Sequence, residues 1–313
     1  MMDSREESWA RAVLEKLALE TLAEQKRRRR WGVFFKLVSL TFLGVIFWSF
    51  GDFGSAEPLD GGKHTALVSL EGVIAPKGEV SAEHVVGALQ AAFDDAGTQG
   101  VVLRINSPGG SPVQAGIIND EIVRLRKLHP NVPLFAVVED VCASGGYYVA
   151  AAADRIFVDK ASIVGSIGVL MDGFGFTGVM DKVGVERRLL TAGENKGFLD
   201  PFSPQQPKHL EHAKVMLQDI HTQFIDTVRK GRGSRLKETP DMFSGLMWTG
   251  AKSVELGLAD GFGTVESVAR DVIKAESIRD FTQKQNFAER FAARFGADMA
   301  QSLMNTLSRT SMR

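Results

Sequence analysis

The sequence predicts an α/β domain whose sheet is covered by helices, set behind a single transmembrane helix. Three observations carry this. From residue 65 onward, short runs of β type alternate with helical patterns in the order βαβαβ. The strand-like runs are almost continuously apolar, as in a sheet buried under helices, not alternating as in a half-exposed one. Ahead of them, residues 31–50 read WGVFFKLVSLTFLGVIFWSF, and a basic run, Lys26 to Arg30, directly precedes them.

In chain order, residues 6–25 have the pattern of an amphipathic helix, with Leu14, Leu17 and Leu22 as its packing face. As a helix, the 20 residues 31–50 would span roughly 30 Å, about one bilayer hydrocarbon core. Their one charge, Lys36, lies close enough to the basic end to reach headgroups, and Trp31 and Trp48 sit near the two interfaces. Asp52, Glu57 and Asp60 follow on the far flank. This asymmetry places residues 1–30 in the cytoplasm and the bulk of the chain outside it. A buried soluble helix would not explain the basic cluster. A cleaved signal peptide has in its favour the small residues Gly54, Ser55 and Ala56, and against it the late position of the basic run and the length of the apolar stretch.

Residues 51–64, rich in Gly, Asp and Pro, read as a linker. Strands are then expected at 66–70, 100–106, 133–139, 155–159 and 185–192. Helices are expected at 81–96, with Ser81 as its cap, from SPGGSP through Leu128, from ASGGYY onward, and over 204–229. Residues 245–273 read as a turn, a short helix, a bend and a final helix. Beyond them, the spacing of Phe287, Phe291 and Phe295 marks an amphipathic C-terminal extension, residues 274–313.

The chain has 313 residues, with 37 Lys plus Arg against 38 Asp plus Glu and a net charge of −1, so charge offers no argument for a nucleic-acid partner. Cys142 is the only cysteine, which excludes an internal disulfide framework and a cysteine-built metal site. No GxGxxG follows the first strand, and neither GxxxxGK[ST] nor HExxH occurs. No cofactor and no metal are expected.

Two glycine-rich turns could carry chemistry. SPGGSP, residues 107–112, sits where a strand hands over to a helix, and its amides could stabilise an oxyanion or simply form a turn. Ser144, in CASGGYY, stands at the start of a helix. There it is either a nucleophile with Gly145 and Gly146 making room for a substrate, or an ordinary helix cap. Asp140 and Asp154 flank it, but none of His64, His84, His129, His209, His212 and His221 has the setting of a general base. His209 and His212, spaced i,i+3 on a helix, are read as solvated histidines.

Taken together, LRINSPGGSP (103–112), VVEDVCASGGYYVAAAAD (137–154), SIVGSIGV (162–169) and GLMWTGAKSVELGLAD (245–260) resemble the signal peptide peptidase A family of serine–lysine membrane peptidases. The resemblance covers residues 65–273 and implies a single peptidase domain of Clp/crotonase-like repeated β-β-α architecture. It implies that Ser144 is the nucleophile, that Lys196 in TAGENKGFLDPF is the general base, and that Gly109 supplies an oxyanion amide. Ser166 is a weaker candidate for orienting the lysine. The chemistry asks for a neutral amine, which an apolar pocket favours, and Phe198 and Leu199 stand close by. Asn195, where an aromatic residue often precedes the lysine, and Cys142, in place of a smaller residue, depart from the family pattern.

The resemblance further implies an endopeptidase in the bacterial inner membrane, in contact with lipid and acting on peptides, above all cleaved signal peptides. It also implies a homo-oligomer whose dyad is shared between subunits. Two other functions remain open at this level: a crotonase-like acyl-thioester enzyme, which would not need Ser144 and Lys196, and an inactive membrane scaffold.

Overall fold

The computed structural model describes residues 19, 24–42, 44, 62–78 and 80–283. Residues 24–42 form a helix, α1, with exposed side chains throughout. Among the described residues, no helix is long and apolar enough to cross a membrane. Of the expected span at 31–50, residue 43 and residues 45–50 lie outside the described residues, as do nearly all of the expected helix at 6–25, most of the linker and the Phe287–Phe295 stripe. All other elements belong to a separate compact unit, Gly61–Asn286.

In that unit, β1 (His64–Glu71), β2 (Thr98–Ser107), β3 (Leu134–Ala143) and β4 (Arg155–Val158) are the expected strands, and their mutual pairing is parallel. The intervening helices are α2 (Ala82–Asp94), α3 (Pro112–Leu128) and α4 (Gly145–Ala150). As expected, Ser81 caps α2, its hydroxyl accepting from the His84 N–H. The chain continues through β5 (Ile163–Gly165), α5 (Thr177–Val183), α6 (Pro207–Arg232), β6 (Met247–Thr249), α7 (Gly250–Glu255), β7 (Gly261–Phe262), α8 (Val265–Ser267) and β8 (Ile278–Asp280). The sheet runs β6-β5-β3-β2-β1-β8, with β4 pairing to both β3 and β7.

Both faces of the sheet are buried, which explains the continuous apolar strands. One face presents Ala66, Val68 and Leu70 of β1, Val101, Leu103 and Ile105 of β2, and Leu134, Ala136 and Val138 of β3 to the main core. Val85, Leu89 and Phe93 of α2 and Ile118, Ile122 and Leu125 of α3, spaced three or four apart, pack into that core. Leu67, Val102, Phe135 and Val137, the alternate positions, join Phe157, Val265 and Val268 in a smaller cluster on the other face. Fully burying one such Val, Leu or Phe stabilises the fold by about 1.5–3 kcal/mol.

Five expectations need correction. Residues 185–192 form no strand; they run as exposed irregular chain after α5, a helix that the sequence pattern did not predict. A strand needs a neighbour for its amides and carbonyls, and no described strand lies alongside this one. α6 starts at Pro207, not Pro204, because a proline at the first helical position sacrifices no internal hydrogen bond. β3 does not stop at Glu139 but continues to Ala143. The final helix is of α type only over its first turn, α8, and runs on to Ile273 as a π-helix from Val268. Lastly, the edge strand β8, paired to β1 from Thr65 to Leu67, comes from the segment read as C-terminal extension.

β3 sets up the site. Its partner register on β2 moves from Ile105↔Val138 to Ser107↔Cys142, so four residues of β3 advance against two of β2. The extra residues include the exposed Glu139 and Asp140. On its other edge, β3 pairs first with β4, through Phe135–Val137, and beyond the irregularity with β5, through Val141–Ala143. Such an irregularity bends a strand and re-aims the residues beyond it. The first residue past the end of β3 is Ser144.

Candidate active site

Ser144 links β3 to α4 in a backbone conformation that side-chain-bearing residues rarely adopt, φ 50° and ψ −122°. Strain of this kind costs about 1–3 kcal/mol and persists only where the surroundings impose it. Here the Ser144 N–H donates to the Gly165 carbonyl at 2.8 Å, and its carbonyl accepts from the Tyr148 N–H at 2.9 Å. Its side chain makes no capping hydrogen bond to α4, so the ordinary reading of a helix-start serine does not apply. The hydroxyl stands instead at a cavity of about 610 Å³. Tyr148, Leu170, Ile220 and Phe224 supply apolar wall to that cavity, and Gly110 and Gly145 line it next to the serine.

The SPGGSP turn packs directly on this corner. Gly109 has φ 99°, and a Cβ there would stand 2.6 Å from the Gly145 nitrogen and 2.8 Å from the Ser144 Cβ. Only glycine fits. Its own N–H donates to the Ser107 hydroxyl at 3.1 Å, and the Ser107 hydroxyl donates to the Gly72 carbonyl at 2.6 Å. Gly109 thus gives the serine corner its close packing, with its amide already engaged.

Gly110 is better placed as a donor. Ile74 forms a parallel bridge with it, its N–H donating to the Gly109 carbonyl at 2.9 Å and its carbonyl accepting from the Ser111 N–H at 2.8 Å. In that pattern the N–H of the bridged residue points to the opposite side. There, the Gly110 nitrogen lies 3.3 Å from where a Gly145 Cβ would be. Gly145 opens α4, so its N–H has no acceptor within the helix. Two amides therefore adjoin the serine. The bridge to Ile74, 36 residues away in the chain, is what orients Gly110.

Ser166 also lines the cavity, and it too has positive φ, 51°, with its N–H donating to the Leu246 carbonyl at 2.8 Å. Cys142 is fully buried, and burial raises its thiol pKa well above the usual range, which leaves it a packing residue. Neither flanking aspartate forms a triad. Asp140 accepts from Asn106 at 3.3 Å, whereas Asp154 pairs with Arg126 and accepts the Leu134 N–H at 2.9 Å. No histidine lines the cavity, and among the described residues no three His, Cys, Asp or Glu side chains converge as metal ligands.

Lys196 is not brought to Ser144 within the chain. It is exposed, lies outside the residues lining the serine cavity, and sits on a series of turns between α5 and α6. Ser144, Ser166, Gly110 and Gly145 are assembled, Gly109 supports them from behind, and Lys196 stands apart.

A model of peptidase family S49 matches residues 126–279, a span that contains Ser144, Ser166 and Lys196 but not Gly109 or Gly110. In that stretch the chain resembles peptidase family S49. This is a family of serine endopeptidases that use a Ser/Lys dyad. Relatives include an Enterococcus faecium protein named provisionally as the signal peptide peptidase SppA, 29% identical over 78% of this chain and 73% of its own. Protease 4 of Haemophilus influenzae is 30% identical over 77% of this chain and 39% of its own. A Brucella abortus protein named Na(+)/H(+) antiporter NhaA is 45% identical over 209 residues, 65% of this chain. The chain spans 28% of the length of that Brucella protein.

Proposed function

We propose that this chain is a membrane-anchored serine endopeptidase that cleaves membrane-associated peptides, remnant signal peptides above all, with Ser144 as nucleophile and Lys196 of a neighbouring copy as base. The observation that carries the reading is the strained, uncapped Ser144 hydroxyl at an apolar-walled cavity, beside the amides of Gly110 and Gly145. A neutral Lys196 amine takes the Ser144 proton as Oγ bonds to the scissile carbonyl carbon. The two amides then stabilise the oxyanion. The C–N bond breaks as Lys196 returns the proton to the leaving amine, and water releases the acyl group by the same route.

That the base comes from a second copy is supported by two features. Lys196 is exposed and apart from its own serine cavity, and the segment bearing it carries large apolar side chains with no cover: Leu170 is 81% exposed, Phe174 80% and Leu190 97%. A patch of this kind marks an interaction surface. The Clp/crotonase-like relationship belongs to this proposal as well. So do the inner-membrane anchor at 31–50 with residues 1–30 in the cytoplasm, and the peptidase domain at 65–273, for which sequence pattern and family resemblance are the support.

The test mixes inactive Ser144→Ala and Lys196→Ala subunits under conditions that allow reassembly. Hydrolysis of an apolar peptide returns in the mixture, while each variant alone stays inactive. Verified mixed assemblies without activity would overturn the shared dyad, and near-wild-type turnover by either variant alone would remove the role assigned to that residue.

A further inference from the structure

The geometry points to Phe198 as the positioning residue for Lys196, held by an aromatic seat that His209 and His212 form on α6. This inference rests on the reading of Lys196 as the base.

The backbone around Lys196 is a chain of tight turns. The Lys196 N–H donates to the Gly193 carbonyl, that of Phe198 to Asn195 and that of Asp200 to Gly197, at 3.1, 3.1 and 3.2 Å. These bonds are local and do not locate the segment against the rest of the fold. Phe198, two residues past the lysine, does so. Its ring centroid lies 5.3 Å from that of His209 and 5.7 Å from that of His212, the second pair meeting edge to face. These are the separations of favourable aromatic pairs. Glu194 adds a 2.8 Å ion pair to Lys208, but both of its partners are exposed, and such a pair contributes little to holding the turn.

His209, expected from the sequence to be solvated, is instead buried, and it reveals the seat. It is 5% exposed, and its buried Nε2 has no hydrogen-bond partner. A buried polar atom left unpaired is costly and calls for an explanation. The imidazole meets the Phe198 ring at a tilt of 56°, and its Nε2 gains no hydrogen bond there. Its place on the inner side of α6 is therefore tied to the ring that covers it. His212, one turn on, completes the slot, and a cavity of about 400 Å³ lined also by Asn195 and Val215 adjoins it.

α6 makes this seat a matter of distance. The same helix walls the serine cavity with Ile220 and Phe224. At 1.5 Å per residue, about 12 Å of helix separates His212 from Ile220. Seating Phe198 at 209–212 thus holds the lysine turn at a set distance from the chain's own Ser144.

The experiment measures kcat and KM for Phe198→Ala, His209→Ala, their double variant and Phe198→Tyr, with Lys196→Ala alongside. Phe198→Ala is expected to lose about tenfold in kcat with KM within about twofold and assembly size unchanged, because a loosened lysine turn spends less time in the geometry that proton transfer needs. The double variant loses no more than the worse single variant, since both remove one contact. Phe198→Tyr restores most of the loss, the adjoining cavity having room for a hydroxyl. Wild-type kcat in Phe198→Ala beside an inactive Lys196→Ala overturns the seat alone. Activity in Lys196→Ala removes the reading of the base on which it rests. Multiplying losses in the double variant, or a fall in kcat that Phe198→Tyr does not restore, assigns Phe198 a merely structural role and overturns the proposal too.

Discussion

The N–H of Ser144 donates to the carbonyl of Gly165 at 2.8 Å, continuing the β3–β5 ladder one residue past the Ala143↔Gly165 pair. The last bond of that ladder thus falls on the residue whose φ is 50°. The sheet imposes the strain, and Ser166, immediately after Gly165, repeats it at φ 51°. Both serines face one cavity from adjoining strand ends.

If Ser144 stores strain, glycine should release it. Ser144→Gly is expected to melt about 2–4 °C above Ser144→Ala, the equivalent of about 1 kcal/mol in a domain of this size. Both variants should lose peptide hydrolysis by about 10⁴-fold or more, as when a serine nucleophile is removed. Calorimetry and an active-site titration measure the two effects. Equal melting temperatures would show that the conformation is unstrained.

Gly110→Ala should be more harmful than its size suggests. A Cβ at Gly110 would run into the Ile74 carbonyl, in a backbone conformation with φ 147° that disfavours any side chain. The turn must shift, and the Gly110 N–H shifts with it. Loss of one oxyanion donor costs about 10²–10³-fold in kcat. That fall, with the far-ultraviolet dichroism retained, is the expected outcome; turnover within twofold of wild type would count against Gly110 as a donor.

Arg232 is fully buried, its Nη1 2.8 Å from Asp260 Oδ2 and its Nε donating to the Gly257 carbonyl at 3.0 Å. Burial pushes the Asp260 carboxyl pKa up, but the Arg232 hydrogen bond, the Ile156 N–H and the charges of Arg232 and Arg235 outweigh it and hold the pKa below the ordinary 3.8. A carboxyl with a lowered folded pKa contributes stability fully present above its unfolded value and lost as pH falls through the folded one. Asp260→Ala is expected to cost about 3–5 kcal/mol at neutral pH by stranding a buried guanidinium. It should also flatten the loss of stability below about pH 3.8 relative to wild type. Urea melts across pH read both effects, and parallel curves for the two proteins would contradict the pairing.

Leu190, 97% exposed, stands on the lysine-bearing segment away from the described core. Leu190→Glu should leave the melting temperature of the folded unit nearly unchanged, because no described residue covers it. It should shift the assembly to smaller species and lower kcat/KM at least tenfold. Sedimentation beside kinetics reads this. An unchanged assembly with unchanged activity would place the subunit contact elsewhere.

What the sequence determined by itself is whatever local pattern controls. The strands β1 to β4 were legible because both of their faces are buried, so each is a continuous apolar run, and the start of α2 was legible because Ser81 caps it through a bond three residues away. Ser144 was legible as a candidate from the glycines beside it and from the family resemblance. Only the tertiary structure separated its functional reading from a helix cap, because the hydroxyl's freedom depends on Gly165 and on the bend in β3. Residues 185–192 misled for the converse reason: their composition suits a strand, but a strand exists only where a neighbour completes its ladder. Gly110 and Phe198 were decided at the same level. The direction of the Gly110 N–H is set by a bridge to Ile74 and the place of Phe198 by tilted and edge-to-face contacts with α6, and contacts between residues distant in the chain leave no local pattern to read.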